Sequence, residues 1–514
     1  MTEIPRDAGR AGTAIPRGKA KSASGLVLRS GASMVAARLV RTLLTVAGMV
    51  VLARLLTPAE FGVVALTTTL TVLSLVIVEG AIDLPSLRHT EMTRDAMRSM
   101  IWTTLLFMMP LAAAIFAVAP MIERALGIPQ LATALRAVLP VMLLQTFFVA
   151  GSSVLRLQHR FNTVAIVSIA SVAVYLVTAV VLALLDVGLW SIIIAQNVSV
   201  LFTVVLLARL TSIDLRWPKR LSLAAVGQVG AYGVSSRVLA WFWSSIDTIA
   251  VGAALGPAAV GIYTRAYNIT IQFKEPFVAL DAPTRQGLIA VRKRDGNVVA
   301  QAVVMLRLLT IATASAAAIC VVLREPIILI LLGDQWQAAA PVLAILILGL
   351  PARIALNFFD ALAATTGSMP NMMLRHAILC VVMGGGVYLA APHGIAAVAG
   401  VVCAALYLAL LLPARAKERT LTGGRLALLG AMAPGLGLGA ALLALGEYAL
   451  VPLADGGLLA TLAYTLPAYG LLALAIAAFL PDRWLPIQLR TARAALWHRT
   501  ADRFQSIKKT EERG

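Results

Sequence analysis

The sequence predicts an all-α polytopic membrane protein. It is expected to hold about 14 transmembrane helices: two six-helix lobes related by a pseudo-two-fold axis along the membrane normal, then two C-terminal helices. Three observations predict this. The 514-residue chain is 60% hydrophobic and only 13% charged, too apolar for a soluble globule. Apolar runs of about 20 residues, enough to cross a hydrocarbon core as helices, recur through nearly the whole length. Finally, the stretch Arg38–Gly62 occurs twice: adding 199 to each position carries Arg38 onto Arg237, Leu56 onto Leu255, Pro58 onto Pro257, Ala59 onto Ala258 and Gly62 onto Gly261. Among these identities are an intramembrane arginine, a turn proline and a helix-entry glycine, the punctuation of a duplicated bundle.

In chain order, residues 1–28 form a basic cytoplasmic tail expected to be disordered and retained, because no apolar run in it is long enough for a signal peptide. The expected spans are 30–53, 61–83, 99–119, 131–155, 163–185, 188–208, 223–246, 257–282, 300–323, 341–366, 371–391, 394–413, 424–446 and 458–480. Residues 29–210 make the N-lobe, 211–222 a cytoplasmic linker, 223–414 the C-lobe and 424–480 the last two helices. Residues 481–514 form a second basic tail; within it, Trp484–Ile507 mixes aromatic and aliphatic residues with arginines. That pattern suits a helix lying on an anionic leaflet as well as it suits a solvated tail.

The connections assigned to one side collect most of the Lys and Arg, including both tails, while the opposite side keeps only Arg54, Arg124 and Arg324. By the positive-inside rule both termini are cytoplasmic, so the formal net charge of +19 records topology rather than nucleic-acid binding. Six spans per lobe, an even number, give the two copies one orientation.

Eight basic residues fall within the spans: Arg38, Arg41, Arg136, Arg237, Arg265, Lys274, Arg307 and Arg353. Each costs roughly 2.5–3.5 kcal/mol near the bilayer centre unless it meets water, an acid or an anionic ligand. Arg38 and Arg41 share a helix face, continued by Thr42 and Thr45. In the eighth span Tyr263, Tyr267, Thr270 and Lys274 line one face and Arg265, Asn268, Gln272 and Glu275 a neighbouring one, with Pro276 expected to bend the helix. The cationic set Arg38, Arg41, Arg237, Arg265 and Lys274, with Tyr263 and Tyr267, is the candidate substrate site; Trp241 and Trp243 could add aromatic contacts but read more simply as packing. Arg136, at the start of a span, reads as structural. Among the intramembrane acids Glu79, Asp83, Asp247, Glu275, Asp281 and Asp360, the residues Asp247, Glu275, Asp83 and Asp360 are candidates for ion coupling or for arginine salt bridges.

No catalytic group, cofactor or metal site is expected. There is no phosphate loop, Cys320, Cys380 and Cys403 lack metal-ligand spacing, and the five histidines are dispersed. The longest non-cytoplasmic connection, about Arg324–Ala340, is too short to hold an acceptor sugar, so an enzyme is not expected. Gly435, Gly437 and Gly439 read as close helix packing.

The segments LARLLTPAEFGVVAL (52–66), QHRFNTVAIVSIASVAVYLVTAVVLALLDVGLWSIIIAQ (158–196), SIDTIAVGAALGPAAVGIYTRAY (245–267) and GDQWQAAAPVLAIL (333–346) resemble the bacterial polysaccharide transporter family. This is the oligosaccharide flippase branch of the multidrug/oligosaccharidyl-lipid/polysaccharide exporter superfamily. The resemblance implies passage of undecaprenyl-diphosphate-linked oligosaccharide across the bacterial inner membrane by alternating access through a central cationic cavity, with polysaccharide polymerase and export machinery as partners. By position Arg38, Arg41 and Arg265 match the family's cavity cations, and Asp247 sits where an acid is common. The end of the second span departs from the family pattern, since a proline follows Asp83-Leu84. Two other readings remain: a cation-coupled multidrug exporter on the same scaffold, which would want a net acidic interior, and a non-transporting scaffold of an assembly complex.

Overall fold

The computed structural model describes residues 23–88, 94–211, 216–218, 223–278, 298–366, 369–412, 419–450 and 467. Every regular element among them is helical, as a lipid solvent requires of a chain that must satisfy its own backbone. The helices are α1 (Ala23–Leu55), α2 (Pro58–Arg88), α3 (Arg94–Leu126), α4 (Leu131–Ala137), α5 (Leu139–Leu157), α6 (Phe161–Leu184), α7 (Trp190–Thr211) and α8 (Leu223–Val278). There follow α9 (Val298–Val322), α10 (Arg324–Leu331), α11 (Ala339–Leu348), α12 (Leu350–Thr366), α13 (Met369–Ala390), α14 (Ile395–Leu411) and α15 (Arg419–Leu445). Nine helices among the described residues are long and apolar enough to cross a membrane, or ten if α11 and α12, bent by 41° at their break, count as one span. The protein is a multi-pass, all-α membrane protein. The described residues of the first thirteen expected spans fall on helix; of the fourteenth, 458–480, only residue 467 is described. Residues 1–22 and 481–514 of the expected tails lie outside the described residues, while residues 23–28 belong to α1.

Three details refine the expected spans. Spans seven and eight are the two halves of α8, separated by its one non-helical residue, Gly256 at φ 82°, directly before the expected start of span eight. The break in φ/ψ falls at this glycine, where φ is positive, and the backbone is helical through Pro276 to Val278; the residues that follow the expected bend at Pro276, 279–282, lie outside the described residues. The connection Arg324–Ala340 is largely structured: its apolar half is α10, followed by a 3-10 turn at Asp334–Trp336. The fourth span of each lobe is interrupted, at Val138 before Pro140 and at Gly349 before Pro351, as expected where a proline removes a backbone donor.

The chain divides into two compact units. Unit 1 comprises Met1–Ala266, Ile328–Ala339 and His376–Val401; unit 2 comprises Tyr267–Ile327, Ala340–Arg375 and Val402–Gly514. Since lipid tails are as apolar as leucine, helices in a bilayer associate through tight packing and hydrogen bonds. Unit 1 uses both. Val78, Met97, Met100, Ile101, Val149 and Val154 form a core between α2, α3 and α5. Polar ties cross it: Ser74 Oγ donates to Gln145 Oε1 at 2.5 Å and Gln196 Nε2 donates to Thr71 Oγ1 at 3.2 Å. In unit 2, Gly435 and Gly439 lie against the α9 backbone at Thr310 and Ala314, as the glycine pattern suggests, whereas Gly437 faces open space. Arg324 and Glu447 form an ion pair between the start of α10 and the end of the α15 segment.

Candidate functional site

The duplicated turn organises one end of unit 1. Pro58 begins α2 at the position where its missing N–H costs nothing, and Thr57 and Glu60 form a capping box. The Thr57 N–H and hydroxyl both donate to Glu60 Oε2, at 2.7 and 2.8 Å. The second copy has Gly256 and Ala259 in their place and makes its turn with a left-handed glycine instead. The two copies touch reciprocally. A Cβ on Gly62 would lie 1.8 Å from the Pro257 carbonyl oxygen, and one on Gly261 would lie 1.9 Å from that of Pro58. A two-fold relation between the copies of the turn produces such an exchange of partners.

Of the expected cations, Arg265 lies beside this crossing, whereas Arg38, Arg41 and Arg237 sit 17–20 residues away along their helices. Arg38 and Arg41 are exposed on α1, and Thr45 turns its hydroxyl back to the Arg41 carbonyl at 2.8 Å. Arg265, on the second half of α8, sets its guanidinium carbon 4.1 Å from the ring centroid of Phe61. Its Nε–H is buried and donates to no partner, while the Tyr175 phenol lies within electrostatic reach. Arg237 is engaged by Glu79 at 2.6 Å, each side chain about a third exposed.

Other expected site residues are occupied by their own neighbours. Tyr263 is fully buried and donates to Asp247 Oδ2 at 2.7 Å, while Asp247 Oδ1 takes the Thr248 N–H at 2.7 Å. The face that sequence spacing marks as polar is thus an interior face at Tyr263, whose hydroxyl is held on a carboxylate. Trp241 donates to the Thr69 carbonyl at 3.1 Å and Trp243 stacks on His376, both packing roles. The Asp83 and Asp281 side chains lie outside the described residues.

Unit 2 carries a second cationic group. Arg353, only 8% exposed, donates to the Tyr267 hydroxyl at 2.6 Å. Lys274, two turns beyond Tyr267, lies within electrostatic reach of both Arg353 and Glu275. Asp360 is paired with Arg375. Sequence spacing marked Tyr267 and Lys274 but left Arg353 undecided, since nothing along α12 signals that it reaches a tyrosine eighty-six positions away.

Arg136 is structural. Pro120 has no N–H to give the Phe116 carbonyl four residues earlier, and Arg136 Nε supplies one at 3.2 Å while its guanidinium covers the Phe116 ring. Among the described residues no group of three His, Cys, Asp or Glu side chains could hold a metal ion.

The family profile described as "Polysaccharide biosynthesis protein" matches residues 51–341, more than half of the sequence. The chain belongs to this polysaccharide biosynthesis protein family. This family member is 28% identical over 312 residues to the succinoglycan biosynthesis transport protein ExoT of Rhizobium meliloti, a match covering 58% of the chain and 61% of that relative's length. Its fold is that of the lipid II flippase MurJ in an inward closed conformation, with TM-score 0.68 and 13% identity, covering 86% of this chain and 98% of that one. It also resembles an inward-facing multidrug resistance MATE family transporter of the MOP superfamily, with TM-score 0.57 and 15% identity, covering 78% and 95% of the two chains. At such identities these two likenesses establish the fold alone.

Proposed function

We propose that the protein is a flippase that carries polyprenyl-diphosphate-linked oligosaccharide repeat units across the bacterial inner membrane for exopolysaccharide or lipopolysaccharide synthesis. The substrate class is carried over from the succinoglycan transport relative and from the flippase whose fold it shares. Lobes 29–210 and 223–414 alternate access, both termini are cytoplasmic, and a polymerase and export machinery receive the product. The protein makes and breaks no covalent bond.

The observation that carries this reading is the unequal fate of the intramembrane charges. Glu79 and Asp360 are each neutralised by an arginine, whereas Arg265 rests on an aromatic ring and Arg41 is exposed on α1. A diphosphate leaving water would bear the desolvation cost of a multiply charged group, and guanidinium edges offset it with paired charge-assisted hydrogen bonds. A drug exporter for cations would call for the opposite balance.

Replacing Arg38 and Arg265 together by Ala abolishes polymer output and causes lipid-linked oligosaccharide to accumulate on the inner leaflet, with membrane insertion intact. Unchanged output from an inserted double variant would remove these arginines from the mechanism.

A further inference from the structure

The GDQW stretch, singled out in the sequence, has no part in the reading above, yet it is tied to one of its arginines. Trp336 is the largest fully buried side chain among the described residues, although it lies in a short turn between two helices. Its indole N–H donates to the Ala53 carbonyl at 2.8 Å, and Gln335 Nε2 donates to the same oxygen at 2.7 Å. That carbonyl belongs to the last turn of α1 and has lost its natural helical partner, since the Thr57 N–H is spent on Glu60. Arg54 returns the tie by donating to the Ile330 carbonyl at 3.1 Å.

Held in this way, the Trp336 ring meets Phe61 edge to face, at a centroid distance of 5.5 Å and 68° between planes. Phe61 is itself 1% exposed and carries the Arg265 guanidinium on its ring. The series Ala53 carbonyl, Trp336, Phe61, Arg265 is therefore continuous, and each contact fixes the next.

We propose that Phe61 and Trp336 are positioning residues: they form a platform that holds the Arg265 guanidinium in place for an anionic ligand. The inference rests on the reading that Arg265 meets the substrate's diphosphate. A guanidinium lying on an aromatic face keeps its N–H donors for an anion, whereas one bonded to a carboxylate has already used them. Arg265 Nε lacks a bonded partner, as a group prepared for an incoming acceptor would. Fixing the side chain beforehand removes from the binding step the entropy of immobilising a flexible arginine.

The test is the affinity of the full-length protein in proteoliposomes for polyprenyl diphosphate. Phe61→Leu keeps the apolar bulk and removes the ring; it weakens binding about fivefold, the equivalent of one stacked cation. Phe61→Tyr restores wild-type affinity. Trp336→Leu weakens binding to a similar degree, and the double variant is no weaker than the poorer single, because both act through one guanidinium. Wild-type affinity in Phe61→Leu, failure of Phe61→Tyr to rescue, or losses that multiply in the double variant overturn the proposal. Should Trp336→Leu not fold, the comparison of Phe61→Leu with Phe61→Tyr decides. Arg265→Ala separates the two levels: loss of binding in it while Phe61→Leu binds normally overturns only the platform, whereas normal binding in it overturns the functional reading beneath.

Discussion

A methyl group at Gly62 would test the duplicated crossing most directly. Its ideal position is 1.8 Å from the Pro257 carbonyl oxygen, 2.5 Å from the carbonyl carbon and 3.0 Å from the α-carbon, where ordinary contact begins at 3.4 Å. The obstacle is backbone at the start of a helix, so no rotamer change relieves it, and the two segments must part by about 1.5 Å. Overpacking of this kind costs about 1–3 kcal/mol even where side chains can adjust, so Gly62→Ala falls at the upper end of that range. Gly261→Ala meets the Pro58 carbonyl at 1.9 Å and costs about the same. Because one separation accommodates both methyl groups, the double variant is little worse than either single, a strong departure from additivity. The assay is the apparent unfolding temperature of the detergent-purified protein, compared across the two singles and the double at matched detergent. A neutral Gly62→Ala, or a double variant whose shift equals the sum of the singles, would refute the reciprocal contact.

Two further predictions concern single ties. Arg136→Met leaves the Phe116 carbonyl without its donor and lowers the apparent unfolding temperature by the equivalent of about 1 kcal/mol; in a Pro120→Ala background, where the helix supplies its own N–H, the same change becomes nearly silent. Glu79→Gln removes the partner of an Arg237 about a third exposed, costs about 1 kcal/mol after allowing for solvent screening, and is restored by the charge exchange Glu79→Arg with Arg237→Glu; failure of the exchange to recover stability would make the pair incidental.

Much of the fold was legible because lipid imposes a simple rule. A span must be apolar and about 20 residues long, and the places where it stops carry proline, glycine and charge, all of them local signals. The duplicated Pro58 and Gly62 were readable for the same reason, as turn residues recurring at a constant offset. The break in α8 came at Gly256, where only the backbone angle distinguishes a turn glycine from a packing one.

The candidate site divides along the same line. Composition and spacing by themselves determined that cations sit inside membrane helices, since an arginine in an apolar run is conspicuous and expensive wherever its side chain goes. What each charge touches was decided only by tertiary structure. Arg237 found Glu79 across 158 residues of chain, Arg353 found Tyr267 across 86, and Arg265 found a phenylalanine ring instead of an acid. Partner choice depends on which helix faces meet, and helix faces meet through packing of small residues and carbonyls such as those at Gly62 and Pro257 that leave no periodic trace in either helix alone.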